Sequence, residues 1–149
     1  MSKQPIDESA RTAARIAQIK RVIAQRGLTG LANDTKWNEF IVGIRTLFGM
    51  GGNSREWRPS YRFKMVDREP SEWDIEWWYH LPNFLPVEWF DVAHLQGIPD
   101  KSRPHTTQTV DHAPRIAELL ERVGLEFEVG TTMIRVFGYA PKSQELFDT

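Results

Sequence analysis

Residues 72 to 80 read Glu72-Trp73-Asp74-Ile75-Glu76-Trp77-Trp78-Tyr79-His80, with apolar or aromatic side chains at every odd position. A period of two predicts a half-buried β-strand. Successive strand side chains point to opposite faces, so Trp73, Ile75, Trp77 and Tyr79 are expected inward and Glu72, Asp74, Glu76, Trp78 and His80 outward. The same alternation predicts a preceding strand, Tyr61-Arg62-Phe63-Lys64-Met65, and Val87-Glu88-Trp89-Phe90-Asp91-Val92 reads as a following one. Asp67 to Ser71 carries turn residues and ends in Pro70-Ser71; the paired prolines of Leu81 to Pro86 read as a rigid connection. An antiparallel meander is the simplest order for the three.

Helical spacing governs other stretches. From Glu8 to Gln25, Ile16, Ile19 and Ile23 recur among Arg11, Arg15, Lys20 and Arg21, with Gly27 as a stop. From Thr35 to Phe48, capped by Asp34 or Thr35, the stripe is Trp37, Phe40, Ile41, Ile44, Leu47 and Phe48. A third helix is expected from Asp111 to Val123, with Pro114 in its first turn and Gly124 ending it. Two short strands follow, Leu125 to Val129 and Thr132 to Tyr139, turning at Gly130-Thr131, and Pro141 to Thr149 reads as a tail. Residues 95 to 109 show no periodicity and read as a long loop. Together these predict an α+β fold: one domain over 1–149, an antiparallel sheet of four or five strands, and about three helices packed mainly on the Trp73/Ile75/Trp77/Tyr79 face. Residues 1–27 can stand at its periphery.

With 40% hydrophobic and 26% charged residues, the composition is that of a soluble globular protein. No 18-residue apolar run and no secretory leader is visible, so the expected location is cytoplasmic and no membrane partner is expected. The absence of cysteine excludes disulfides and thiolate chemistry. The net charge of −1 conceals segregation: residues 1–66 hold twelve Lys or Arg against five Asp or Glu, and residues 67–91 hold one against seven. An acidic block of this kind disfavours nucleic acid and attracts a basic protein surface.

Catalytic signatures are few. Gly49-Met50-Gly51-Gly52-Asn53-Ser54 follows a helix and lacks a Lys-Ser/Thr ending, so it reads as a turn rather than a phosphate loop. His80, His94, His105 and His112 do not share a metal-binding spacing, and neither a metal nor another cofactor is expected. Asp74 and Glu76 would share a strand face and could do acid–base work, but such pairs usually bond to basic neighbours; no catalytic residue is assigned. The outward face, Glu72, Asp74, Glu76, Trp78 and His80 with Glu88 and Asp91, is the candidate partner-binding surface. Trp78 is its anchor unless the tail or a loop covers it. Arg62, Lys64 and Arg135 could neutralise part of the acidity across the sheet, by pairing with Glu76 and Glu88.

Asn33-Asp34-Thr35-Lys36-Trp37-Asn38-Glu39, Pro70-Ser71-Glu72-Trp73-Asp74 with Glu76-Trp77 and Tyr79-His80, Val87-Glu88-Trp89, and Ile134-Arg135-Val136-Phe137-Gly138-Tyr139 together resemble a small bacterial family catalogued as a domain of unknown function, over about residues 31 to 140. The first helix and the tail fall outside that resemblance. It implies an immunity protein: a binding protein that neutralises a cognate toxin enzyme with a basic surface. The alternative is a small enzyme or ligand-binding domain, with a pocket around Trp78 and His80 and residues 95–109 as a lid. The oligomeric state stays open.

Overall fold

The computed structural model describes residues 8–51 and 56–149. Of the glycine-rich turn at 49–54, residues 52–54 lie outside that description. The elements are α1 (Glu8–Arg26), β1 (Thr29–Gly30), α2 (Asp34–Leu47), β2 (Tyr61–Met65), β3 (Val87–Ala93), β4 (Leu95–Pro99), β5 (Thr107–Asp111), α3 (Ala113–Val123), β6 (Phe127–Val129), β7 (Met133–Phe137) and β8 (Tyr139–Ala140). Helices and antiparallel sheets thus mix as an α+β fold. The main sheet has the order β2-β3-β7-β6; β4-β5 and β1-β8 form two-stranded sheets.

Helices α2 and α3 cover one face of the main sheet. Trp37, Phe40, Ile41 and Ile44 of α2 and Ile116, Leu119 and Leu120 of α3 are buried with Tyr61, Phe90, Val92, Ile134 and Val136 of the strands. Phe90 stacks on Tyr61 at 5.2 Å and meets Phe40 edge-on at 5.9 Å. The helices approach closely because Gly43 has no side chain: a Cβ there would collide with Leu119. The cap of α2 sits one residue earlier than expected, at Asn33, whose side chain accepts from the Lys36 N–H at 2.9 Å. Helix α3 ends as expected at Gly124, in the left-handed conformation that glycine adopts without strain.

Helix α1 buries a single residue, Ile19, among its described side chains. Its basic face holds it to the sheet. Arg15 pairs with Asp67 at 2.5 and 3.1 Å, and Arg26 forks onto Glu88 at 2.6 and 3.1 Å while donating to the Val66 carbonyl at 2.7 Å.

Three expectations are corrected. Residues 72–80 form no strand: Asp74 makes one isolated bridge to Tyr61, and residues 77–80 bend. Of the four side chains expected inward only Trp77 is buried; Trp73, Ile75 and Tyr79 are 38%, 61% and 91% exposed. The helices therefore pack on the Tyr61/Phe90/Ile134 face instead. Residues 95–109 are not a structureless loop but most of a β-ribbon, β4 paired with β5 from Leu95↔Asp111 to Pro99↔Thr107. Alternating Thr and Gln in β5 hid it, because neither face has enough apolar residues to give a period.

Residues 141–149 are a tail in sequence only. The Ser143 and Leu146 carbonyls accept from Arg135 (3.0 Å) and Arg62 (2.6 Å), and the Asp148 carboxylate accepts from the Thr131 and Thr132 N–H groups. The segment lies over the sheet face opposite the helices.

Candidate functional site

Among the predicted site residues, Glu72, Asp74, Glu76, Trp78 and His80 share one loop beside β2, and Glu88 and Asp91 do not join them. Glu88 is 3% exposed and bound to Arg26, with Lys64 Nζ at 3.8 Å. Asp91 is fully buried between Arg62 and Arg135: Oδ2 accepts from Arg62 Nε at 2.9 Å and Oδ1 from Arg135 Nε at 2.7 Å. The cross-strand neutralisation of the acidic block is real, but the partners are Asp91 and Glu88 rather than Glu76 and Glu88. Arg62↔Asp91 and Asp91↔Arg135 are direct neighbours in the sheet register, so the three charges form one row.

Local side-chain bonds build the loop. Phe63 and Tyr61 hold its start, through the Ser71 N–H to the Phe63 carbonyl (2.8 Å) and the paired Tyr61–Asp74 backbone bonds (2.8 and 2.9 Å). Asp74 Oδ1 accepts from the Glu76 N–H at 2.9 Å, and Oδ2 lies 2.7 Å from His80 Nδ1. Glu76 Oε1 then accepts from three consecutive N–H groups, Trp78 and Tyr79 at 2.6 Å and His80 at 3.0 Å. Amides that a strand would offer to a neighbour are satisfied by acidic side chains of the loop itself.

Those bonds set the charge state. The Glu76 amide, then His80, hold the Asp74 carboxyl below its usual range. Desolvation pushes Glu76 up, but the amides of His80, Trp78 and Tyr79 win and bring it below its ordinary value. Both carboxylates are therefore anions at neutral pH, and neither is a protonated acid held ready for catalysis.

Anchors from below fix the loop to the core. Trp77 is fully buried, donates from Nε1 to the Pro59 carbonyl at 2.8 Å and packs edge-on to Tyr61 at 4.7 Å. The Tyr61 hydroxyl donates to the Glu76 carbonyl at 2.5 Å. Arg45 of α2 donates from Nε and Nη2 to the Trp77 carbonyl and places its guanidinium 3.7 Å from the Trp78 ring centre. Trp78 stays 46% exposed, seated on Arg45. Trp73 rests on Arg62 at 4.6 Å. Four large apolar side chains, Trp73, Ile75, Trp78 and Tyr79, are thus displayed within one short, pinned segment.

A cavity of about 480 Å³ lies away from this loop, lined by Phe48, Glu56, Trp57, Gln96, His112 and Arg115. Burial, then Arg115, lowers the His112 pKa, so this ring is neutral at neutral pH; it stacks on Trp57 at 4.8 Å and its Nε2 lies 2.7 Å from Gln96 Oε1. His94 is buried, with Nδ1 2.8 Å from Asp111. Among the described residues no three His, Asp or Glu side chains gather as a metal site, and no helix is long and apolar enough to cross a membrane.

Sequence reasoning missed Arg45 and the exposure of Trp73, Ile75 and Tyr79. Its usable signal was the frame Pro70 … Pro82 around Asp74 and Glu76, since short acidic side chains between prolines favour turns over ladders.

The fold and this loop define an α+β protein whose most distinctive surface is an aromatic loop fixed beside its sheet. The chain belongs to the family of unknown function DUF6678, whose profile matches residues 19–143. That span reaches further than the expected 31–140 and takes in Ile19 and Arg26 of α1. No curated protein and no solved structure matches the chain.

Proposed function

We propose that this protein is a protein-binding module that contacts its partner through the loop 72–80, with Trp78 and Tyr79 as anchors. The observation that carries the reading is the display of Trp73, Ile75, Trp78 and Tyr79 on a segment held by Glu76, Asp74 and Arg45. Exposed large apolar groups are costly in water, and a pinned loop loses little further entropy on binding. Tryptophan and tyrosine are the residue types enriched at the energetic centres of interfaces.

Within that reading the role we favour is inhibition of a toxin enzyme, the role implied by the family resemblance. The burial of Glu88 and Asp91 changes how such an inhibitor engages: Glu72, with Asp74, Glu76 and His80 at the rim, supplies the polar contacts, and the aromatic side chains supply the affinity. Steering by charge is correspondingly weak, so added salt slows association only modestly.

The test is affinity capture from the native bacterium with the wild-type chain and a Trp78→Ala/Tyr79→Ala double variant. A protein retained by the first and lost by the second is the expected outcome. Identical retention by both would remove the loop from the interface. Loss of the captured protein's enzymatic activity at equimolar ratio supports inhibition; undiminished activity rejects it and leaves the binding module.

A further inference from the structure

The ribbon β4–β5 is exposed except at the half-buried Gln96: every residue of β5 is exposed, and Leu95, Ile98 and Val110 leave 37%, 39% and 36% of their surface open. Among the described residues neither edge of the ribbon has a strand beside it, and a two-stranded ribbon is marginally stable alone. Its two edges, however, are not equivalent.

Bonds from the Asp100 N–H to the Thr106 carbonyl and from the His112 N–H to the His94 carbonyl, each 2.8 Å, flank the ladder and fix its phase. In the register Leu95↔Asp111 through Pro99↔Thr107, even-numbered residues bond within the ribbon, and odd-numbered ones turn N–H and C=O outward. Pro99, which has no N–H to give, falls on an outward position and interrupts the β4 edge. The β5 edge offers Thr107, Thr109 and Asp111 without interruption. From Thr106 to Val110 it has no charge and no proline, the usual protections of an exposed edge.

We infer that the β5 edge pairs with β5 of a second copy of this chain, antiparallel about a two-fold axis at Thr109. That axis sets Thr109 opposite its own copy and Thr107 opposite the second copy's Asp111, so all outward groups find partners and no like charges face each other. Val110 of each chain comes beside Gln108 of the other, extending one mixed face of Ile98 and Val110 across four strands. The antiparallel order also carries the ribbon tip, with Lys101 and Arg103, past the other copy's Asp111, whose side chain is 55% exposed while it accepts from its own Ala113 N–H. The pairing is independent of the loop 72–80.

Sedimentation equilibrium of the full chain, from micromolar to sub-millimolar concentration, tests it. The wild type is expected as a dimer. Thr109→Lys sets two cations face to face and weakens dimerisation about fivefold or more; Thr109→Pro removes outward bonds and weakens it further. Thr109→Lys mixed with Thr109→Glu restores a mixed dimer, with circular dichroism confirming that each variant is folded. A monomeric wild type, a dimer indifferent to Thr109→Lys, or failure of the mixed pair would each overturn the inference.

Discussion

Asp91 and Glu76 come from the same acidic block and from segments both read as strands, yet one lies at the centre of a sheet and the other ended the strand it was expected to join. Asp91 sits between Arg62 and Arg135 on flanking strands, and its neighbours pair on both sides. Glu76 has no strand beyond it; its carboxylate takes the N–H groups of Trp78, Tyr79 and His80, and the chain turns. Alternation states what a strand would bury, whereas pairing decides whether the strand exists. The contrast separates an acid that holds the fold from acids that shape a surface.

Among the acids the largest effect should fall on Asp91. Asp91→Asn leaves Arg62 and Arg135 buried without a counter-charge, and breaking a buried pair in this way costs about 3–5 kcal/mol. Asp74→Asn, at a half-exposed carboxylate paired with an exposed His80, should cost under about 1 kcal/mol. Urea unfolding of the two variants measures the difference, and equal losses would contradict the division between the two acids. Replacing Arg62, Asp91 and Arg135 together by apolar residues of similar volume should recover most of the loss, because no charge is then stranded.

Adjacent tryptophans sharpen the same contrast inside the loop. Trp77→Ala removes a fully buried indole and its bond to Pro59, at about 3–5 kcal/mol. Trp78→Ala gives up a half-exposed ring on Arg45, worth about 0.5–1 kcal/mol. Melting curves should therefore separate neighbours that the alternation pattern had placed on opposite faces. For this pair the pattern was right, for a reason it did not contain: Trp77 points into the core because Pro59, Tyr61 and Arg45 hold it there.

Much of the scaffold was legible for the same physical reason. The stripes of α2 and α3, the Tyr61–Met65 alternation, the apolar-rich run Val87–Val92 and the Gly124 stop are local signals, and each produced its element within a residue or two. The tail's role was not legible, since Ser143 and Leu146 act through backbone carbonyls that any residue would supply. The ribbon was illegible because its side chains are almost all solvated. Of the candidate site, the loop residues were found and their display was not: whether Tyr79 is 91% exposed depends on where the Glu76 side chain folds back.

That dependence makes Glu76 the finest probe. Asp74 and Glu76 have folded pKa values depressed below their ordinary values, so each adds stability above the unfolded carboxylate pKa that disappears as pH falls through the lower, folded value. Because both groups lie near the surface, the consequence is local: acidification should release the amides of Trp78, Tyr79 and His80 before the sheet melts. Amide exchange followed by NMR as pH is lowered should show these three losing protection together while Phe90 and Val136 keep theirs. Glu76→Ala, which removes the acceptor itself, should expose the same three amides already at neutral pH. Protection of Trp78, Tyr79 and His80 that survives in Glu76→Ala would show that Arg45 and the buried Trp77, not the Glu76 side chain, hold the loop in shape.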